Sequence, residues 1–290
     1  MAISVIINTY NSALHLAKVL DSVSDFDEVV VCDMESTDNT VEIAKSKGAR
    51  VVTFPKKHYT YCEPARNFAI SQARFDWVFV VNADELVSPE LRGYLYKFVL
   101  KPGKAKGLYI PRCSFILDRF RHGVYPDYNL RFFVREAVDW PAEIHSKPVV
   151  EGEVKKIPAN RKDLALIQIP ASIDHMIERI NRYSTAEMET MKDKKVGLFH
   201  ILTYPFFRFV KTYFLNGAVH YGTAGFILAF NDSVYSFYRL AKIYEFRVGH
   251  KMPGKHSREV PEEVLEEIIA GYKAEKELIK EQEKDTDANK

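Results

Sequence analysis

The chain has 290 residues, which is enough for one large domain with an extension or for two small domains. Its apolar fraction of 47% is ordinary for a globular protein, and its formal net charge of +2 does not indicate a nucleic-acid-binding protein. The three cysteines, Cys32, Cys62 and Cys113, lie far apart with no CxxC pair, which excludes a disulfide framework and a zinc site of that type. The N-terminus lacks the basic start and long apolar run of a signal peptide, so we expect a cytoplasmic protein.

The first ninety residues alternate between apolar runs of strand length and segments with helical spacing. We predict strands over 3–8, 28–33, 49–54 and 77–81, and helices over 12–23, 36–48 and 63–73. In the second of these helices, Thr37 or Asp38 is expected to cap the start and Gly48 to mark the end. Buried strands separated by amphipathic helices indicate an α/β fold, with a parallel sheet covered by helices on both faces.

The stretch FDWVFVVNADELVSPEL, residues 75–91, is informative about function. Five apolar residues, 77–81, predict a strand buried on both faces, and Ser88 with Pro89 predicts the start of a helix. Asp84 and Glu85 lie between them, at the end of a strand where desolvation of a carboxylate is costly. One interpretation is structural: the two carboxylates lie in a loop and are stabilised by the N-terminus of the helix that follows. The other is a site for a divalent metal and a diphosphate, because ligands bind at the carboxyl ends of parallel strands.

The pattern changes beyond residue 107. Two further strands are predicted in GLYIPRCSFIL and LRFFVR, with a turn-rich loop over 121–129 between them and a helix over 174–193. We divide the chain into a core over 1–160, a helical and aromatic-rich extension over 161–250, and a charged tail over 251–290 that is helical or disordered.

The extension is unusually aromatic, because residues 199–246 hold 15 of the 37 aromatic residues. Within it, residues 212–231 have the length of a membrane span and no formal charge. Asn216, His220 and three glycines interrupt that run, so we do not expect it to span a bilayer. Aromatic residues interleaved with basic ones suit a helix at a membrane surface, a homodimer contact or the wall of an acceptor cleft.

Several segments together resemble the family 2 glycosyltransferases. The N-terminal segments are VIINTYN, EVVVCDMESTDNTVEIA, PARNFAISQA and WVFVVNADELVSPEL, in this order and spacing. RHGVYPDYNLRFFVRE, AEIHSKP and IDHMIERINRYSTAEM extend the likeness to bacterial lipopolysaccharide-core beta-glucosyltransferases, over about residues 1–245. The resemblance implies a GT-A fold with a mixed, mainly parallel sheet. It also implies inverting transfer of a hexose from a UDP-sugar to a cell-surface glycan such as lipopolysaccharide core, with glucose as the first candidate for the hexose.

The resemblance also implies roles for individual residues. Asp84 falls at the second position of the family's Asp-x-Asp motif and would bind Mn²⁺ or Mg²⁺ together with His145, while Asn82 replaces the first aspartate. The nucleotide-sugar would be bound by Thr9, Tyr10, Asn11, Asp33, Glu35, Arg66, Asn82, Ala83 and Arg131.

The catalytic base implied by the resemblance is Asp127, which would take the proton of the acceptor hydroxyl. Pro126 replaces the glutamate that accompanies this acid in the family, and Glu143 is a second candidate base. His175 would meet the acceptor or the diphosphate, or would simply pack.

Two other classes of function remain open. The first is a non-catalytic nucleotide-sugar or glycan-binding relative, in which Asn82 marks a degraded metal motif. The second is a nucleotidyltransferase, although the chain lacks a glycine- and lysine-rich N-terminal loop. The expected partners are the UDP-sugar, a glycan or lipid-linked acceptor, the inner face of the plasma membrane and a second copy of the chain, with no nucleic acid.

Overall fold

A computed structural model describes residues 1–57, 59, 62–143, 146–191 and 193–251. The predicted tail therefore lies outside the described residues, apart from Lys251. The strands are β1 (Ile3–Thr9), β2 (Glu28–Asp33), β3 (Arg50–Thr53), β4 (Trp77–Asn82), β5 (Glu85–Leu86), β6 (Ala105–Cys113), β7 (Phe115–Ile116), β8 (Arg119–Phe120), β9 (Asp127–Val134), β10 (Val138–Asp139), β11 (Val149–Val150), β12 (Glu153–Lys156) and β13 (Leu166–Gln168). The α-helices are α1 (Ala13–Val23), α2 (Thr40–Ser46), α3 (Glu63–Ser71), α4 (Pro89–Leu100), α5 (Ile173–Met191), α6 (Leu198–Val210) and α7 (Gly222–Lys251).

The centre of the described part is a nine-stranded sheet with the order β3-β2-β1-β4-β9-β6-β13-β5, in which β12 also pairs with β6. The first four strands in this order are parallel to one another, as predicted from the alternation of strands and helices. Strand β9 runs antiparallel to both of its neighbours, β4 and β6. The mixed, mainly parallel sheet of the predicted fold class is therefore confirmed.

Helices cover both faces of the sheet because the central strands are apolar on both sides. In β4, Trp77 is 7% exposed and Val78 to Val81 are fully buried, which confirms the strand predicted from this apolar run. Helices α1 and α4 pack on the face that contains Phe79, and α3 packs on the opposite face with Val80. Burial of both faces leaves only the strand ends available to a ligand.

The helix starts combine predicted and unexpected features. Ser88 caps α4 by accepting a hydrogen bond from Leu91 N at 3.0 Å, as predicted. Helix α2 is shorter than predicted and its N-cap is Asn39, so the expected cap at Thr37 or Asp38 is wrong by one or two residues. The reason is that the Asp38 carboxylate also accepts from Ala13 N, at 3.1 Å, and ties the start of α2 to the start of α1. At the other end Gly48 has φ +76°, as expected of a helix stop.

The segment predicted as a loop over 121–129 becomes a strand at its end. Asp127 to Asn129 belong to β9, with Asp127 opposite Arg112 on β6. The prediction is wrong there because pairing with β6 extends the strand beyond its apolar residues. The sheet also continues past residue 160, since β13 pairs with β6.

The C-terminal helices α5 and α6 both pack on α7, and the helix predicted over 174–193 is confirmed as α5. Arg239 of α7 bonds Glu187 of α5 at 3.0 Å, and Ser233 of α7 donates to the Pro205 carbonyl of α6 at 2.9 Å. Among the described helices, none combines the length and the apolar character that crossing a bilayer requires.

Candidate active site

A cleft of about 910 Å³ opens at the carboxyl ends of β1 and β4. Its walls come from the loop after β1, the turn after β4, strands β6 and β9, and helix α5. The turn after β4 is the one that holds Asp84, which lines the cleft, and Glu85, which lies behind it.

Glu85 is fully buried and belongs to the framework of the site. Its carboxylate is 3.0 Å from Arg112 Nη1 and 3.6 Å from Arg131 Nη2, and it accepts hydrogen bonds from the Asn82 amide groups at 3.0 Å. Burial acts to raise the pKa of Glu85, but Arg131, Arg112 and the Asn82 hydrogen bond outweigh it and hold the pKa below its usual value. An ionised Glu85 therefore fixes two arginines at the cleft.

The pKa of Asp84 is shifted in the opposite direction from that of Glu85. Burial, followed by repulsion from Glu85, raises the pKa of Asp84 above its usual value. Its Oδ2 accepts a hydrogen bond from Gln168 Nε2 at 3.1 Å, and no ion pair among the described residues joins it to a cation. An additional positive charge would stabilise its ionised form, so this carboxylate suits a divalent cation that shares its remaining ligands with a diphosphate.

The described residues contain no group of three or more His, Cys, Asp or Glu side chains arranged to hold a metal. His145, the predicted second ligand, lies outside the described residues. The pairing of Asp84 with His145 therefore stays a prediction.

Asn82 connects the acidic turn to a buried arginine. Its Oδ1 accepts from Arg66 Nη2 at 3.1 Å, while its Nδ2 donates to Glu85 Oε1 at 3.0 Å. An aspartate at this position could accept from Arg66 but could not donate to Glu85. The asparagine is thus matched to an ionised neighbour, which gives the departure from the family motif a structural reason.

Several buried N–H groups around this arginine have no acceptor among the described residues. They are Arg66 Nε, Arg131 Nε, Trp140 Nε1 and Asn8 Nδ2, all on residues that line the cleft. The Arg66 and Arg131 guanidinium groups also face the Trp140 ring, at 4.8 and 5.8 Å from its centroid. Buried donors without acceptors are costly, so this wall suits an anionic ligand rich in acceptor oxygens.

Asp127 lies beside the cleft, next to Arg112. Its Oδ2 accepts from Arg112 Nε at 2.9 Å, and its side chain is 35% exposed. Arg112 therefore links the buried Glu85 to this accessible carboxylate. Glu143, the second candidate base, is exposed and outside the cleft lining.

Comparisons with known proteins find similar glycosyltransferases. The family model described as glycosyl transferase family 2 matches residues 4–139, which include β1, β4 and the acidic turn. Nearly half of the chain, including the strands and the turn that form the cleft, is therefore similar to glycosyl transferase family 2, as the sequence motifs predicted. A lipopolysaccharide core biosynthesis glycosyltransferase, LpsC of Rhizobium meliloti, is 27% identical over 257 residues, which cover 84% of this chain and 93% of that protein.

Other similar proteins extend the comparison. The glycosyltransferase RT0209 of Rickettsia typhi is 28% identical over 256 residues, with 84% of this chain and 87% of that protein covered. Among solved structures, the mannosyltransferase PcManGT from Pyrobaculum calidifontis in complex with GDP-Man and Mn²⁺ matches with a TM-score of 0.47 and 17% identity, over 88% of each chain.

The predicted nucleotide-sugar residues of this glycosyltransferase fall into two groups. The first group lines the cleft and consists of Tyr10, Asn11, Arg66, Asn82, Ala83 and Arg131. Among the described residues, Thr9, Asp33 and Glu35 lie outside that lining. Asp33 accepts hydrogen bonds from Thr9 Oγ1 at 2.9 Å and from Ser36 Oγ at 2.6 Å, and Glu35 accepts from Lys56 N at 3.2 Å. These three residues shape the loop behind Tyr10.

Four residues that no motif in the sequence had indicated also line the cleft: Arg112, Gln168, Trp140 and His15. In the sequence, Arg112 stands at the end of the apolar run of β6. A charged residue at the end of a strand is the one signal that could have identified it as a site residue. The pKa of His15 is lowered by burial and by His175, against an opposing effect of Asp84. His15 and His175 therefore belong to the same end of the cleft as Asp84.

Proposed function

We propose that this protein is a metal-dependent, inverting glycosyltransferase that moves glucose from UDP-glucose to a glycan of the lipopolysaccharide core. The observation that carries the proposal is the charge arrangement of one cleft, where a carboxylate of raised pKa, Asp84, lies near the buried arginines Arg66 and Arg131. The likeness to LpsC over most of both chains supports the acceptor class.

In this proposal the donor diphosphate lies between the arginine wall and Asp84. Arg66 and Arg131 supply N–H donors that lack acceptors among the described residues, and Tyr10 offers its ring to the uracil. Mn²⁺ or Mg²⁺, held by Asp84 and His145, would neutralise charge on the departing diphosphate.

The acceptor proton goes to Asp127. As the acceptor oxygen attacks the anomeric carbon, the bond from that carbon to the diphosphate breaks, and the Asp127 carboxylate takes the hydroxyl proton. Arg112 positions this base through its bond to Oδ2, and the buried Glu85 positions Arg112 in turn. Glu143, exposed at the surface, is the alternative base.

The rival function is a binding protein whose metal motif has decayed at Asn82. The hydrogen bonds of Asn82 to both Arg66 and Glu85 favour the enzyme, because the asparagine completes the network around Asp84. The proposed place of action is the inner face of the plasma membrane, where a lipid-linked acceptor is available, and a homodimer is the proposed assembly.

The test combines binding with turnover. We expect UDP-glucose to raise the thermal unfolding midpoint only when Mn²⁺ or Mg²⁺ is present, and UDP to be released when a core acceptor is added. The Asp84→Asn variant should lose the metal-dependent part of both signals. Asp118→Asn, which changes an exposed carboxylate outside the cleft lining, is the matched control.

Three results would contradict the proposal. UDP-glucose binding without turnover on a broad panel of acceptors would favour the binding protein. Pyrophosphate release from a sugar phosphate and UTP would identify a nucleotidyltransferase. Unchanged activity in Asp84→Asn would remove that residue from the metal site.

A further inference from the structure

Helix α6 exposes a set of large apolar side chains that we name the α6 outer face. Its members are between 61% and 73% exposed, and they are Leu198, Phe199, Leu202, Phe206 and Phe207. Single exposed apolar residues are common at protein surfaces, but a contiguous group on one helix marks an interaction surface.

The spacing of these residues places them side by side. Leu198, Leu202 and Phe206 follow one another at intervals of four, and Phe199 and Phe207 are eight apart. Residues separated by four lie above one another on a helix, so the set forms two adjacent rows. The rows make one broad apolar strip over residues 198–207 of α6.

The strip does not end with α6. Phe214 and Leu215, in the π-helical turn Lys211–Leu215 that follows, are also exposed. On the side toward α7, the ring of Phe209 is 5.6 Å from that of Phe226, which stacks on Phe230 at 6.2 Å. Exposed aromatic rings therefore continue from α6 onto the first turns of α7.

The opposite side of α6 already supplies the packing that holds the helix. Pro205 is buried there, and in the following turn the buried Thr212 donates from Oγ1 to Asp232 of α7 at 2.9 Å. The α6 outer face is thus separate from the contacts that hold α6 against α7.

Charge around the strip indicates what binds it. Residues 194–231 contain Lys194, Lys195, Arg208 and Lys211 but neither aspartate nor glutamate, and of these four only Arg208 is ion-paired among the described residues, with Asp232 at 3.6 Å. Basic side chains beside exposed aromatic and leucine side chains are typical of surfaces that lie on anionic lipid. A second copy of the chain fits less well, because a symmetric dimer through this face would bring like charges together.

We propose that the α6 outer face docks on the surface of a bilayer that contains anionic phospholipid. The aromatic and leucine side chains enter the boundary between headgroups and acyl chains, while Lys194, Lys195 and Lys211 meet the lipid phosphates. This binding needs no nucleotide-sugar, so it is independent of the reaction proposed for the cleft.

The test is co-sedimentation of the full chain with phosphatidylcholine vesicles, with and without about one third phosphatidylglycerol. We expect sedimentation with the anionic vesicles that weakens as salt is added. The double variant Phe199→Ser/Phe206→Ser should bind at least about tenfold more weakly. Leu100→Ser, at an equally exposed leucine at the end of α4, is the matched control and should bind like the unmodified chain.

A second variant tests the charges without altering the apolar strip. Lys194→Gln/Lys195→Gln/Lys211→Gln should lose the preference for phosphatidylglycerol. Unchanged thermal unfolding and UDP-glucose binding in every variant would separate failure of docking from failure of the proposed reaction.

Other outcomes would overturn the docking proposal. Equal binding by the double serine variant would show that another surface meets the lipid. Equal, salt-independent binding to neutral vesicles would exclude recognition of anionic lipid. Conversion of a dimer to a monomer by the double variant, with vesicle binding unchanged, would identify a second copy as the occupant.

Discussion

The sheet and the C-terminal helices use aromatic residues in opposite ways. In the sheet, Phe79, Phe132 and Phe133 are fully buried. In α6, Phe199 and Phe207 are mostly exposed, although the segment is equally apolar. Burial of a phenylalanine stabilises the fold, whereas an exposed one is available to a partner. The difference separates the part of the chain that builds the cleft from the part that meets its surroundings.

The difference also explains why composition alone could not assign the extension. The apolar runs of the sheet are covered by amphipathic helices that follow each strand along the chain. Helix α6 is covered on one side by α7, and no further described element covers its outer face. Whether an apolar residue supports folding or binding is thus decided by neighbours that are distant in sequence.

The sharpest test of this comparison is a matched pair of phenylalanine substitutions. Phe79→Ala should reduce the free energy of unfolding by about 3–5 kcal/mol, because it leaves a cavity in the sheet core. Phe207→Ala should change it by no more than about 0.5 kcal/mol, because its side chain is mostly exposed. Chemical denaturation of both variants measures the two values. Similar losses would mean that the two regions do not differ as described.

A second prediction concerns chemistry beside the sheet. Asp127→Asn should lower the rate of glucosyl transfer at least about 100-fold, since the amide cannot accept the acceptor proton. Glu143→Gln, at the exposed rival base, should leave the rate within about threefold. Steady-state rates with both variants distinguish the candidates, and thermal unfolding verifies that each variant is folded. The reverse pattern would transfer the role of base to Glu143.

The smallest expected effect is a gain in stability. The raised pKa of Asp84 means that folding disfavours its charge, so Asp84→Asn should stabilise the metal-free protein by about 1 kcal/mol at neutral pH. Stability of the unmodified chain falls as pH rises from the unfolded pKa of Asp84 through its higher folded pKa. The advantage of the variant should therefore grow over that interval and vanish at lower pH.

Unfolding midpoints measured across pH, with and without Mn²⁺, test this prediction. Mn²⁺ should raise the midpoint of the unmodified chain and have a much smaller effect on Asp84→Asn. A variant less stable than the unmodified chain at neutral pH would show that the Asp84 charge does not oppose folding.

The first ninety residues were predictable because each strand and helix is encoded locally. Apolar runs gave the strands β1 to β4, and Ser88, Pro89 and Gly48 marked helix ends. The parallel order followed from their alternation, and it placed the acidic turn at the rim of the cleft.

The rest of the site depends on pairing between distant segments. Arg112 reaches Asp127 because β6 lies beside β9. It reaches Glu85, and Gln168 reaches Asp84, because β13 lies between β6 and β5. No periodicity in the sequence specifies these registers. The extension left three interpretations open for a similar reason, since sequence alone does not tell which face of α6 packs on α7.

The hydrogen bonds of Asn82 also restrict how this turn can evolve. Aspartate at position 82 would set a second anion against the buried Glu85, with Arg112 and Arg131 already engaged there. Arg66 would offset only part of this repulsion, so an acidic residue at position 82 is expected to be better tolerated when position 85 is neutral. Positions 82 and 85 are thus expected to be coupled, so that the effect of a substitution at one depends on the residue at the other.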